Sequence, residues 1–174
     1  IDPDQEFRSI LITELRAALN FRVEGASPQE CAGRRSILLG SIPVALYAQA
    51  EEVTAALPDK MSCLLLHTRS VPKILKDEKM PAKDDLIIIA SRWPAFLQYA
   101  HSMLGALKID PDSLSFRDAR EADWQKGLRA GTFVIADAAT AEQIPPGVRV
   151  RVFSIIADSS LAEMRQYVEK FLKN

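Results

Sequence analysis

Cysteine and histidine are scarce in this chain, with two of each in 174 residues. Cys31, Cys63, His67 and His101 stand apart, with no H-E-x-x-H and no Cys/His cluster at metal-ligand spacing. His101 falls within a helical pattern and reads as a surface or packed residue. The two isolated thiols read as structural and fit a reducing compartment, so the sequence points to the cytoplasm. Glycine is also sparse, at seven residues, and none forms a phosphate-cradling loop. "GSI" and "ASRW", the turns that follow apolar runs, carry at most one glycine, which argues against dinucleotide binding. A G-x-S-x-G nucleophile elbow is missing, and Asp84-Asp85 precede an apolar run where a phosphoacceptor pair would have to follow one. No catalytic residue, metal ligand or cofactor is nominated, and the expectation is a protein that is not an enzyme.

Charge of one sign is lacking as well. Lysine and arginine number 22 against 23 acidic residues, a net charge of −1, so the chain has no overall pull on DNA or anionic lipid. No apolar run approaches the roughly 20 residues of a membrane span, and the start does not resemble a signal peptide. The chain opens at Ile1 on a helix start, which reads as a piece of something longer.

What is present is a pattern of α/β type. "DPDQEFRSILITELRAALNF" offers Asp2 as N-cap, Pro3 at the first helical position and Gln5 closing a capping box. Phe7, Leu11, Leu15, Ala18 and Leu19 then recur at helical spacing, and Ser27 to Glu30, "SPQE", repeats the start signal. From Ser36 apolar strands alternate with helices. Strands are expected at 37–40, 61–68, 86–90, 113–119, 132–138 and 148–155, with helices over 42–57 and 94–108 and a helical turn at "VPKIL". "DSSLAEMRQYVEKFL" closes the chain as an amphipathic helix. Such alternation argues for mostly parallel sheet covered on both faces. In the last strand Arg149 and Arg151 alternate with valines, so one of its faces should be polar.

Residues 38–57 also slide by fifty positions onto 88–107, matching Ser41 with Ser91 and Ala45 with Ala95. Between the copies, "KDEKMPAKDD" has seven charged residues in ten and reads as a linker or exposed crossover. The expected fold is two βα-type halves, like a small periplasmic-binding-protein or flavodoxin-like core, behind an N-terminal helix. The expected segments are 1–35 (connecting helices), 36–80 (first half) and 81–174 (second half).

Parallel sheets meet ligands at the carboxyl ends of their strands. The polar residues expected there are Ser41, His67, Arg69, Ser91, Arg92, Trp93, Arg117, Asp118, Arg120 and Asp137. Serine hydroxyls, helix-start N–H groups and arginine forks suit an anion, with Trp93 as an aromatic wall. Each residue has a plainer reading: serine caps helices, arginine pairs with surface carboxylates, and tryptophan packs. The cleft expected here combines Ser91, Arg92, Trp93 and Arg117, faced by Ser41 and Arg69, with Asp118 and Asp137 as neutralisers.

"LIIIASRWPAFLQYAHSMLGALKIDPDSLSFRDAREADWQKGL", "IADAATAEQIPPG" and "SSLAEMRQYV" together resemble the C-terminal region of certain GntR-family bacterial transcription regulators. "AALPDKMSCLLLHTRSVPKIL" is similar to the first half of that region, and "LRAALNFRVEGASPQE" to the helices that connect it to the DNA-binding module. The resemblance implies an effector-sensing and dimerising domain, with DNA bound only through a winged helix-turn-helix that this chain lacks. A small effector, anionic by the strand-end arginines and not by the resemblance, and a second copy are the expected partners, with no membrane. A purely structural dimerisation domain and a small flavodoxin-like or Rossmann-like enzyme are the alternatives. The apolar stripe of the first helix needs a cover, either the body of the domain or the same helix of a second copy; the second suits a dimer, since a two-fold interface repeats one patch on both subunits.

Overall fold

In a computed structural model, residues 1–69, 86–106 and 110–171 are described. The elements are α1 (Gln5–Ala18), α2 (Pro28–Gly33), β1 (Val44–Leu46), α3 (Ala50–Ala56), β2 (Leu64–Leu66), β3 (Ile87–Ser91), α4 (Pro94–Ala106), β4 (Leu114–Asp118), β5 (Phe133–Asp137), the single turn α5 (Ala138–Ala141), β6 (Arg149–Phe153) and α6 (Asp158–Phe171). The fold is mixed α/β, with an N-terminal helix and parallel pairing in both sheets. The "VPKIL" turn and the 76–85 linker lie outside the described residues. The chain divides into two units, Ile1–Lys76 with Ile155–Asn174, and Asp77–Ser154. The closing helix thus groups with the first unit, although the sequence placed it at the end of an 81–174 half.

In the first unit α1 starts two residues later than its cap signal suggests. Asp4, not Asp2, is the N-cap: its side chain accepts from the backbone N–H of Glu6 and Phe7. Asp2 instead accepts from the N–H of Asp4, so the expected box with Gln5 does not form. The Ser27–Glu30 box of α2 does form, in both directions. The apolar stripe of α1 is covered inside its own unit, with Phe7, Ile10, Leu11 and Leu15 all buried. Of the two partners expected for that stripe, the body of its own unit is the one that covers it.

β1 is displaced from the expected 37–40 run. Arg35–Leu38 forms a 3-10 turn, Gly40 adopts a φ of 68°, and Leu39 is 80% exposed. A left-handed glycine breaks an extended run, so the strand falls within "IPVAL" instead. The expected 42–57 helix is correspondingly cut down to α3. Ser41 precedes β1, whereas Ser91 ends β3; the fifty-residue offset therefore does not set these two serines in equivalent positions, although it lays Ala50–Ala56 of α3 on the last turns of α4. β1 and β2 pair parallel, Val44 with Leu64 through Leu46 with Leu66. Beyond β2 the chain pairs antiparallel with the run into α6, through an N–H···O bond of 2.7 Å from Arg69 to Ile155 and one of 2.9 Å from Ala157 to His67.

The second unit holds a four-stranded sheet in the order β4-β3-β5-β6. Its central strand β3 is buried at every position, as "IIIAS" leads one to expect of a strand covered on both faces. Ile88, Ala90, Val134 and Ala136 pack with Trp124 on one face. On the other, Phe96 of α4 meets Phe153 edge-on, with centroids 5.1 Å apart. β6 is an edge strand, and Val150 and Val152 are exposed on it along with Arg149. The single polar face expected of it does not capture this.

Candidate functional site

β3 has β4 on one side and β5 on the other, so the connections leaving it diverge. The crevice outside the carboxyl ends at such a point is where open α/β sheets bind ligands. Ser91 ends β3 and Asp137 ends β5. The Ser91 hydroxyl donates to Asp137 Oδ2 at 2.6 Å, and both residues are fully buried. Asp137 also caps α5, accepting from the Thr140 N–H and from the Thr140 hydroxyl, each at 2.8 Å. The backbone N–H of Trp93 donates to Ser91 Oγ (3.0 Å), and that of Arg92 to Thr140 Oγ1 (3.3 Å). Thr140 had no place in the sequence-based set, yet it shares this network. The only sequence signal for it is the Asp-x-x-Thr spacing of a helix cap. A buried polar network is favourable when every member is satisfied, and here the groups satisfy one another.

Asp118 lies beside Ser91 in the β3–β4 register. The Arg120 guanidinium grips both its oxygens, at 2.9 Å and 3.0 Å through Nε. Chiefly through those side-chain bonds, with a smaller pull from Arg92, its carboxyl is held below the ordinary value. Arg117 turns away from that edge. Its Nη1 donates to the carbonyls of Trp124 (2.7 Å) and Lys126 (2.8 Å), which ties down the loop after β4. Ser91, Arg92, Trp93, Asp118 and Asp137 thus gather at one strand-end edge, while the Arg117 head group holds backbone.

Ser41 and Arg69 belong to the first unit. The Ser41 hydroxyl donates to the Leu38 carbonyl at 2.9 Å, and Arg69 pairs with Asp158 at 2.5 Å. His67 stacks on Tyr47 with centroids 5.3 Å apart, and His101 tilts over Phe116 at 5.1 Å. Both histidines are exposed. Among the described residues no group of three or more His, Cys, Asp or Glu is placed to hold a metal ion.

The first unit also contains a cavity of about 700 Å³ that no sequence signal announced. Arg8, Leu11, Ile12, Leu15 and Leu19 line it along one face of α1 and its end, and Met164 and Val168 of α6 line it opposite. Arg165 Nε joins the two helices by donating to the Ala18 carbonyl at 2.9 Å. Of the strand-end residues expected from sequence, only Ser41 is on its wall. The volume lies in the 300–1,000 Å³ range of small-molecule sites, and its mixture of apolar walls with a few polar groups is usual for them.

A second feature of α1 bears on this site. Glu14 interrupts the buried stripe, and its carboxylate accepts from the backbone N–H of Ile155 (2.6 Å) and of Ile156 (2.9 Å). Ile156 lines the cavity and Ile155 is where the chain re-enters the first unit. Among the described residues no helix is long and apolar enough to cross a membrane. No family model, curated protein or solved structure matches the chain.

Proposed function

We propose that this chain is the effector-binding and dimerising half of a GntR-family transcription regulator, with its effector site in the cavity beside α1. The observation that carries this reading is the placement of that cavity. One of its walls is a whole face of the N-terminal helix, the element that in such a regulator would lead to the DNA-binding module. An effector acts only through differential affinity for two states. A ligand held between Leu11 and Leu15 on one side and Met164 and Val168 on the other favours the state in which α1 and α6 are clamped. Glu14 extends the same coupling to the backbone at Ile155 and Ile156.

The strand order of the second unit, renumbered within it, is 2-1-3-4, the order of a flavodoxin-like sheet. That likeness keeps the Ser91–Asp137 edge as a second place where an anionic effector could be met. A purely structural dimerisation domain is favoured by one observation: Leu39, Phe21 and Phe171, all on the cavity wall, are 80%, 37% and 49% exposed.

The test of the regulatory reading is the reading frame upstream of Ile1. A winged helix-turn-helix encoded there, with operator binding by the joined protein, supports it. Any other upstream domain sinks it.

A further inference from the structure

The exposed apolar side chains of the first unit gather round its cavity. Among the described residues of that unit, the large apolar side chains that reach solvent are Phe21, Leu39, Tyr47, Tyr167 and Phe171. Phe21, Leu39 and Phe171 are on the cavity wall. A concentration of that kind marks an interaction surface, whereas a single exposed leucine does not. Leu39 is the extreme case at 80% exposure, and its backbone is fixed on both sides. Its own N–H donates to the Ser36 carbonyl at 3.3 Å, and the N–H and hydroxyl of Ser41 both donate to the Leu38 carbonyl, at 3.2 Å and 2.9 Å. Gly40 takes the left-handed conformation that this turn requires. An apolar side chain held out on a fixed turn loses little backbone freedom when a partner buries it.

The charges around the cavity cancel locally. Arg22 is paired with Glu24. Glu30 faces Arg8 and Arg34, and Arg8 is bonded to the Asp2 carbonyl and faces the Asp2 carboxylate. No sign is left over to select an anion or a strongly acidic or basic partner. Arg22, Glu24, Glu30 and Arg34 are all exposed, two of each sign. A two-fold axis sets a patch against its own copy. A patch of one sign would repel itself there, and this one holds both signs needed to match itself. It also carries both parts of an apolar fit, the projecting Leu39 and the recess between Leu15 of α1 and Met164 of α6.

We propose that a second copy of this chain docks two-fold on this patch, with the Leu39 of each copy entering the other's cavity between Leu15 and Met164. The inference rests on the reading of the cavity as the effector site and adds that the site is complete only in the dimer. A cavity of about 700 Å³ is far larger than a leucine side chain, so the partner's Leu39 closes it and leaves room for a ligand. Effector binding and dimerisation are then coupled through one side chain.

The experiment is sedimentation velocity of the full chain over a concentration series. The unaltered chain should sediment as a reversible dimer. Leu39→Asp, a change at an exposed position, should weaken dimerisation at least about tenfold, since each dimer loses two buried leucines. Tyr47→Asp, at an exposed residue of the same unit that is not on the cavity wall, should leave it unchanged. Circular dichroism checks that both variants are folded. In a mixture of methyl-labelled and unlabelled unaltered chains, isotope-filtered NMR should show contacts from the Leu39 methyls of one copy to Met164 of the other. A chain that is monomeric at every concentration, a dimer unmoved by Leu39→Asp or equally weakened by Tyr47→Asp, or the absence of that contact between copies would overturn the proposal and leave the patch to a different occupant. Its fate is separable from that of the regulatory reading. A Leu39 dimer in a chain with no upstream winged helix leaves the interface standing and removes the regulator; a winged helix upstream of a chain whose Leu39 stays exposed in solution does the reverse.

Discussion

The Ser91 hydroxyl and the Asp137 carboxylate, 46 residues apart in the chain, meet at 2.6 Å with no solvent access to either residue. The pair closes the gap between the ends of β3 and β5, and Thr140 completes it from the first turn of α5. Ser91→Ala removes one donor from a buried carboxylate and one acceptor from the Trp93 N–H. Leaving such groups unsatisfied costs about 1–3 kcal/mol. Urea unfolding of Ser91→Ala should show a loss of that size. A change under about 0.5 kcal/mol, typical of ordinary surface substitutions, would mean that the network does not hold the edge together.

Glu14 performs a comparable task in the first unit. Hydrogen bonds to a charged group contribute about 1.5–3 kcal/mol, and this carboxylate takes two from backbone N–H groups. Glu14→Gln keeps the shape but offers one acceptor oxygen instead of two. The expected result is faster hydrogen exchange at Ile155 and Ile156, together with lower stability. Unchanged protection at both amides would contradict the clamp.

Asp118 supplies a pH prediction. Its folded-state carboxyl lies below the ordinary value, first because Arg120 hydrogen bonds to it. A depressed acid stabilises the fold above its unfolded pKa, and that contribution is lost as pH falls through the folded value. Arg120 is exposed and Asp118 half-buried, so solvent screens the pair and its effect on stability should be small and should shrink with salt. Arg120→Ala should move the Asp118 titration up towards the ordinary carboxylate range, read by NMR of the carboxyl carbon. No movement in that variant would assign the shift to some other group.

The two thiols behave in the opposite sense. Burial pushes both Cys31 and Cys63 above the usual thiol value. Neither should offer much thiolate at neutral pH, and the thiolate is the reactive form. Their contribution to stability is present below the unfolded thiol pKa and lost as pH rises through the folded value. Alkylation in native buffer should be far slower than in urea at the same pH; equal rates would show that the thiols are neither buried nor shifted.

Arg117 distinguishes a ligand-binding from a structural arginine at the strand ends. Its guanidinium is engaged with the carbonyls of Trp124 and Lys126. Arg117→Ala should loosen the loop after β4 and cost about 1–2 kcal/mol in urea unfolding, on the scale of lost hydrogen bonds. Any binding in the cavity of the first unit should be unaffected, since Arg117 does not line it. A selective loss of ligand binding with no loss of stability would reverse that assignment.

Local signals in the sequence were sufficient for features that act within a turn or along one strand. The Ser27–Glu30 box formed as its spacing dictates, because both partners lie within one helical turn. "LIIIA" reads as a central strand because continuous β-branched residues suit burial on both faces, and β3 is buried throughout. Even at this scale competition between neighbours was undecided: Asp2 and Asp4 are both cap residues, and only the path of the chain before α1 made Asp4 the cap. The position of β1 turned on Gly40, whose left-handed conformation is a choice among those open to glycine and is not dictated by its presence.

Tertiary structure alone decided what covers α1, what Glu14 holds, and where the cavity lies. A buried stripe such as Phe7, Leu11 and Leu15 states that a partner exists, not which one, because hydrophobic burial is non-directional. Nothing in the helical pattern singles out Glu14, since Ile155 and Ile156, more than 140 residues away, supply the N–H groups that make its burial possible. The strand-end polar residues were identifiable as a class, since a parallel sheet brings its carboxyl ends to one edge. Whether such groups face a ligand or one another depends on distances of a few tenths of an ångström between separate elements. Ser91 and Asp137 face one another. The cavity is the space that α1 and α6 leave unfilled, and no single segment of the sequence carries the record of it.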